Sequence, residues 1–413
     1  MKSGLTQPMV YGFPAWPLAM LGIPLYIYLP TYYYQLGVEL ALVGLMLLLA
    51  RVTDVVSDPL IGGLRDRFGP RGRYGLIMLG WALLIIGLWQ LLLPTQASGA
   101  HLLIWAMWVY LAWTLIMIPY QALSAEVSEH YHVKTHFTAA REAFSIIGVV
   151  TVLVLPFVLS NPQDYRALFE LLYPLLALAL TVTLGLMLWR LKRLPESLSY
   201  TKPKIFNHQA WWALWRDADS RTLLPAYFLN SLANAFPATL FLLFVQYFLQ
   251  QPDATGLLLM TFFLAGILGL PFWVWLSKKI GKYQAWRLSI LLACVSFVWV
   301  FTLDSGDVWA FALISFFSGL SVGADVALPS SIQADIAQDM SRKNGAMSGL
   351  LFGVWGMLTK LALALAVGLA FPILDWSGWE ARTEASLSML VWLYAGVPIA
   401  IKFLVLLWLR GAR

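Results

Sequence analysis

The chain has 413 residues, of which 60% are hydrophobic and 12% charged, and its formal net charge is +6. So much apolar surface excludes a soluble globular protein and predicts an integral membrane protein. The single cysteine, Cys294, excludes an internal disulfide and any cysteine metal cluster, and no cofactor is expected.

The opening residues, MKSGLTQPMVYGFPAW, lack a short apolar core followed by a cleavage site, so the first helix is expected to serve as an uncleaved entry signal. Apolar runs of about 20 residues then recur along the chain, each sufficient for a spanning helix. The predicted spans are 11–35, 38–63, 73–94, 101–127, 138–160 and 165–190, then 221–250, 253–278, 283–303, 307–333, 345–374 and 384–409. Helices satisfy their own backbone groups in lipid, and the alternation of a membrane barrel strand is missing. The fold class is therefore an all-α membrane protein. Its expected domains are an N-terminal six-helix bundle (1–190), a polar cytoplasmic connector (191–220) and a C-terminal six-helix bundle (221–413).

Charge in the loops orients this topology. Lys2, the Arg65/Arg67/Arg71/Arg73 cluster, Lys278/Lys279/Lys282, Arg342/Lys343 and Arg410/Arg413 fall on one side, with the basic connector. The other side holds only Arg166 and Arg382 among several acids. The positive-inside bias then puts both termini in the cytoplasm. The excess positive charge is a topological signal, and its dispersal among membrane loops argues against a nucleic-acid partner. Compact loops without organelle-targeting signals suit a bacterial inner membrane.

Within the second span, Arg51, Asp54 and Asp58 are three and four residues apart and share one helix face with Gly62. Ionised groups at bilayer depth are costly and normally look inward to a partner or an aqueous cavity. Merely structural pairing with Arg51 would be a poor source of stability. After this span comes Gly62-Gly63-Leu64-Arg65-Asp66-Arg67-Phe68-Gly69-Pro70-Arg71, read as a basic loop, and Trp275-Leu276-Ser277-Lys278-Lys279-Ile280-Gly281-Lys282 follows the eighth span. The first stretch resembles the G-x-x-x-D-R-x-G-x-R loop of the major facilitator superfamily. Gly62, Asp66, Arg67 and Arg71 are then expected to form a cytoplasmic charge latch that breaks when the halves rock.

The run Arg51-x-x-Asp54-x-x-x-Asp58-Pro59-x-x-Gly62 also resembles helix two of the glycoside–pentoside–hexuronide:cation symporters, the melibiose/sodium symporter family. Tyr11-Gly12-Phe13, Tyr32-Tyr33-Tyr34, Ile118-Pro119-Tyr120 and Ala334-Asp335-Ile336 followed by Lys360 resemble the same family. This resemblance implies that Asp54 and Asp58 bind the coupling cation, with the Thr114 hydroxyl as a helper. Sodium is a hard ion suited to such oxygens. A proton is an equally acceptable occupant, because it relieves repulsion between neighbouring carboxylates. Arg51 would orient the aspartates, Lys360 would replace the missing cation, and Arg141 would engage the substrate or its gate, although a snorkelling role suits Arg141 as well. Lys402 is expected to snorkel.

Departures from the family bear on the solute. Ala19 and Met117 stand where sugar-transporting members carry acids, and Gln121 stands for their stacking tryptophan. Glycoside recognition needs hydroxyl acceptors and an aromatic face, because unpaired hydroxyls in a pocket are penalised. In exchange the chain has Asp325 inside the tenth span and the aromatic residues Trp113, Trp355 and Tyr26, all placed with the substrate or gating group. Asp325 has a second reading, satisfaction by Asn230 or Asn234. The family resemblance implies a sugar or glycoside. The alternative is an anionic or zwitterionic amphiphile such as a lysophospholipid, and the second alternative is a non-transporting receptor or scaffold. An enzyme is not expected, because the five histidines fall in predicted loops or at helix ends and Asp54 and Asp58 share one helix. The expected protein is a monomeric, cation-coupled symporter, driven by sodium or protons, that works by alternating access.

Overall fold

A computed structural model describes residues 6–126, 131–159, 164–191, 215–344 and 348–411. Within its helices, Asp54, Gly62, Asp66, Arg67 and Arg71 are described by backbone alone, so the side chains of the expected latch and of one expected cation ligand lie outside the description. Most of the expected connector also lies outside the described residues. The chain divides into two compact units, Met1–Ile205 and Phe206–Arg413.

The first span of the N-terminal unit is broken into α1 (Thr6–Gly12), α2 (Ala15–Met20), a π turn over Pro24–Tyr28, and α3 (Leu29–Gln35). Pro14, Pro17, Pro24 and Pro30 explain the interruptions, since each lacks a backbone N–H and cannot continue regular helical bonding. Then follow α4 (Leu40–Leu92), α5 (Gly99–Glu126), α6 (Tyr131–Val154) and α7 (Tyr165–Leu191).

Helix α4 holds both the second and the third expected spans, and helical backbone runs through residues 62–73 where a basic loop was expected. A straight helix of this length would reach about 80 Å, far beyond a hydrocarbon core of about 30 Å. Its contacts show instead that it doubles back. Asp58 is hydrogen-bonded to Thr114 of α5 at 3.0 Å. A Cβ built on Gly80 would lie 2.9 Å from the Cβ of Leu115, the next residue along α5. On a straight helix Asp58 and Gly80 would be about 33 Å apart. Ile61, Leu76 and Leu115 also share one apolar cluster. Two antiparallel legs therefore flank α5. Arg51 and Asp58 run alongside Tyr110 and Thr114, whereas Gly80 and Gly87 meet Ala112 and Trp108 in the opposite direction.

The C-terminal unit holds α8 (Ala218–Leu243), which runs into a π turn over Phe244–Phe248, then α9 (Thr255–Ile280), α10 (Lys282–Val298), α11 (Val308–Asn344) and α12 (Ser348–Trp376). Its last span is α13 (Glu384–Val391), a π turn over Trp392–Gly396 and α14 (Val397–Trp408). Side-chain oxygens of Asp217 and Thr383 cap α8 and α13 by accepting from the amides of Ser220 and Ser386. Gly281, at φ +91°, lets α10 start directly after α9. Helices α9 and α11 pack through Gly266, Gly269, Gly319 and Gly323, whose missing side chains bring backbone against backbone. Helix α11 continues eleven residues past the predicted end of its span and carries Asp335 with it.

Ten described helical stretches are long and apolar enough to cross a membrane. Two shorter apolar helices, Leu40–Thr53 and Ala143–Val154, stand at the places of the second and fifth predicted spans. The fold is that of a twelve-helix membrane protein built from two six-helix bundles.

Candidate functional site

In the N-terminal unit the charged face of α4 lies against α5. Arg51 is only 4% exposed, and its guanidinium sits between two tyrosine rings, 4.2 Å from the centre of Tyr26 and 3.9 Å from that of Tyr110. Such a sandwich holds a buried cation by the negative faces of the rings. Two turns further along α4, the Thr114 hydroxyl donates to Asp58 Oδ1 at 3.0 Å. The structure thus brings together Arg51 with Tyr26 and Asp58 with Thr114, all named from sequence. Tyr110 was missed, although its spacing of four residues from Thr114 puts both on one face of α5.

Two stretches that carried the family resemblance also meet. The hydroxyl of Tyr11 donates to the carbonyl of Tyr120 at 3.1 Å, that of Tyr120 donates to the carbonyl of Tyr11 at 2.8 Å, and their rings stack at 4.8 Å. Gly12 allows α1 to approach α6, because a Cβ there would lie 2.9 Å from the backbone of Ala140. Arg141 follows Ala140 and is half-buried. Gln121 is exposed on α5, and Trp113 is half-buried with an indole N–H that has no hydrogen-bond partner among the described residues. Ala19, at the position where sugar-transporting members carry an acid, packs on Gly148 of α6.

In the C-terminal unit Lys360 is half-buried near the middle of α12, far from either end. One turn before it, Trp355 stacks on Tyr227 of α8, with centroids 3.4 Å apart and planes 15° apart. The hydroxyls of Tyr227 and Thr359 are 2.6 Å apart. Asp325 accepts from Asn234 Nδ2 at 2.8 Å and from Trp286 Nε1 at 2.8 Å. This is the satisfied reading of Asp325, by one of the two asparagines considered from sequence.

Lys402 corrects another expectation. It does not snorkel: its residue is 3% exposed, and its ammonium donates to Asn230 Oδ1 at 2.8 Å and reaches Asp325 Oδ2 at 3.5 Å. Its α14 neighbours suit either fate, and the deciding acid lies on α11. Near the other end of α11, Lys282 pairs with Asp335. Among the described residues no group of three or more His, Cys, Asp or Glu side chains could hold a metal ion. Asp58 and Thr114 nevertheless present hard oxygen donors of the kind sodium prefers.

Twelve spans in two bundles, with charged and hydroxyl side chains paired inside them, define a membrane transporter of the major facilitator fold. The family model described as MFS/sugar transport protein matches residues 10–411, and the chain belongs to that family. Among its relatives is the sodium-dependent lysophosphatidylcholine symporter 1-A of Danio rerio, 21% identical over 389 residues, covering 82% of this chain and 71% of that protein. The inner membrane symporter YicJ of Escherichia coli is 23% identical over 399 residues, covering 90% of this chain and 84% of the relative. The solved structure of the nucleoside transporter NupG superposes with a TM-score of 0.74 at 12% identity, covering 98% of this chain and 99% of NupG. The family and its structural neighbours are transporters, not enzymes.

Proposed function

We propose that the protein is a cation-coupled symporter of a small organic solute, working by alternating access. The hydrogen bond from Thr114 to Asp58, two turns along α4 from the buried Arg51, is the observation that supports this most. An acid held at bilayer depth by a hydroxyl keeps oxygen donors ready for sodium or a proton, while Arg51 offsets its charge when the site is empty. Asp54 is the second carboxylate of this reading. Lys360 supplies countercharge in the cation-free state, and Arg141 engages the solute or its gate. The termini face the cytoplasm.

For the solute, an amphiphile with an anionic or zwitterionic headgroup is the better supported class. The relative in Danio rerio is named for a lysophospholipid and aligns over most of the chain. Ala19, with no polar atom on its side chain, cannot accept from a sugar hydroxyl. A sugar or glycoside is the second reading, supported by the name of the matched family.

The test is the melting temperature of detergent-purified protein in sodium chloride against choline chloride at several pH values. A ligand that binds only the folded state adds about 2.7 kcal/mol at one hundred times its Kd. A saturable sodium-specific rise is expected in the parent and none in Asp58→Asn, which should fold but fail to accumulate solute in proteoliposomes. Sodium-driven accumulation by Asp58→Asn would sink the assignment. Labelled lysophosphatidylcholine and a labelled methyl glycoside, offered to the same proteoliposomes, separate the two solute classes.

A further inference from the structure

The C-terminal unit buries an acid and a base that the proposed coupling does not use. Asp325 of α11 and Lys402 of α14 have side chains 8% and 3% exposed. They are held by Asn230 and Asn234 of α8 and by Trp286 of α10. Four helices therefore converge on one pair of opposite charges.

The polarity of the partners matches a pair of opposite charges. An indole N–H and an amide N–H can only donate, so Trp286 and Asn234 each give a hydrogen bond to the carboxyl of Asp325. The amide oxygen of Asn230 can only accept, and it takes a hydrogen bond from Lys402. The neutral partners are also the nearer ones, at 2.8 Å, whereas the two charges are 3.5 Å apart. Each charge is solvated by its own amide or indole, and the two cancel across the remaining gap. Removing one partner of such a pair leaves an uncompensated buried charge, whereas removing both leaves none.

We propose that Asp325 and Lys402 are a mutually neutralising pair that pins α8, α10, α11 and α14 into one body and takes no part in holding solute or cation. The pair keeps this role whatever the solute or coupling ion, so its test is independent of the symport reading.

The test compares Asp325→Asn, Lys402→Met, the double variant and the exchanged pair Asp325→Lys with Lys402→Asp, in the full chain. Melting temperature in detergent is read together with the rate at which N-ethylmaleimide alkylates Cys294, a half-buried thiol of α10 packed on the same core cluster as Trp286, which reports loosened packing. Each single variant should melt several degrees lower, or yield no folded protein, with faster alkylation where folded. The double variant should recover most of the loss and return alkylation towards the parent rate. The exchanged pair should recover less than the double variant, because Trp286 would then point its N–H at an ammonium. A single variant as stable as the parent, or a double variant no better than the worse single one, would overturn the proposal. Full recovery by the exchanged pair would overturn the assignment of charge by partner polarity.

Discussion

At the residue scale, two side chains of the N-terminal unit show how a charge is kept inside an apolar bundle. The planar guanidinium of Arg51 can lie flat between the rings of Tyr26 and Tyr110, a geometry that the point charge of a lysine does not reproduce. A desolvated cation–π contact is worth about 2 kcal/mol or more. Arg51→Lys keeps the charge and part of the contact, so it is expected to lower stability by about 1 kcal/mol, as read by melting temperature. Thr114→Val keeps the shape of the side chain but removes the donor to Asp58. A hydrogen bond to a charged group contributes about 1.5–3 kcal/mol. The sodium concentration giving half-maximal stabilisation should rise by about tenfold or more in Thr114→Val, and an unchanged value would remove Thr114 from the cation site.

At the element scale, helix contacts in this protein are set by absent side chains. A Cβ on Gly319 would stand 2.3 Å from the carbonyl oxygen of Phe262, and one on Gly323 would stand 2.3 Å from that of Gly266. These are backbone atoms that cannot rotate away, so α9 and α11 would have to separate. Gly319→Val should therefore cost about 3 kcal/mol and reduce the yield of monodisperse protein in size-exclusion chromatography. Gly356 of α12 is the control, because a Cβ there meets nothing within 4 Å. Gly356→Ala should be neutral or stabilise by up to about 1 kcal/mol through helix propensity. Equal losses in the two variants would show that composition, not close approach, explains these glycines.

At the scale of the whole molecule, the distribution of charge makes a topological prediction. Ser305 lies between α10 and α11 on the side poor in basic residues, and Lys278 lies near the end of α9 on the basic side. In a Cys294→Ser background, Ser305→Cys in intact cells should react with a membrane-impermeant maleimide, whereas Lys278→Cys should react only after permeabilisation. The reverse pattern would invert both termini. The membrane class, the places of the spans and the family were legible in the sequence, because apolar length and a 3.6-residue period are local properties of the chain. Legible too was the charged face of α4, since Arg51 and Asp58 stand out against apolar neighbours.

Other features could not be read along the chain. The helical backbone through residues 62–73 escaped a reading that took glycine, proline and charge as loop signals. Tyr110 stands among other aromatics of an apolar span, and only the fold puts its ring over Arg51. Lys402 has the same local sequence whether it reaches the interface or a buried acid, and its partner Asp325 is 77 residues away. The sequence by itself thus determined that this is a twelve-span transporter with ionisable residues inside its apolar spans. Which of those groups meet was decided only by the tertiary structure, because ion pairs and cation–π contacts depend on distances between helices that local periodicity does not encode.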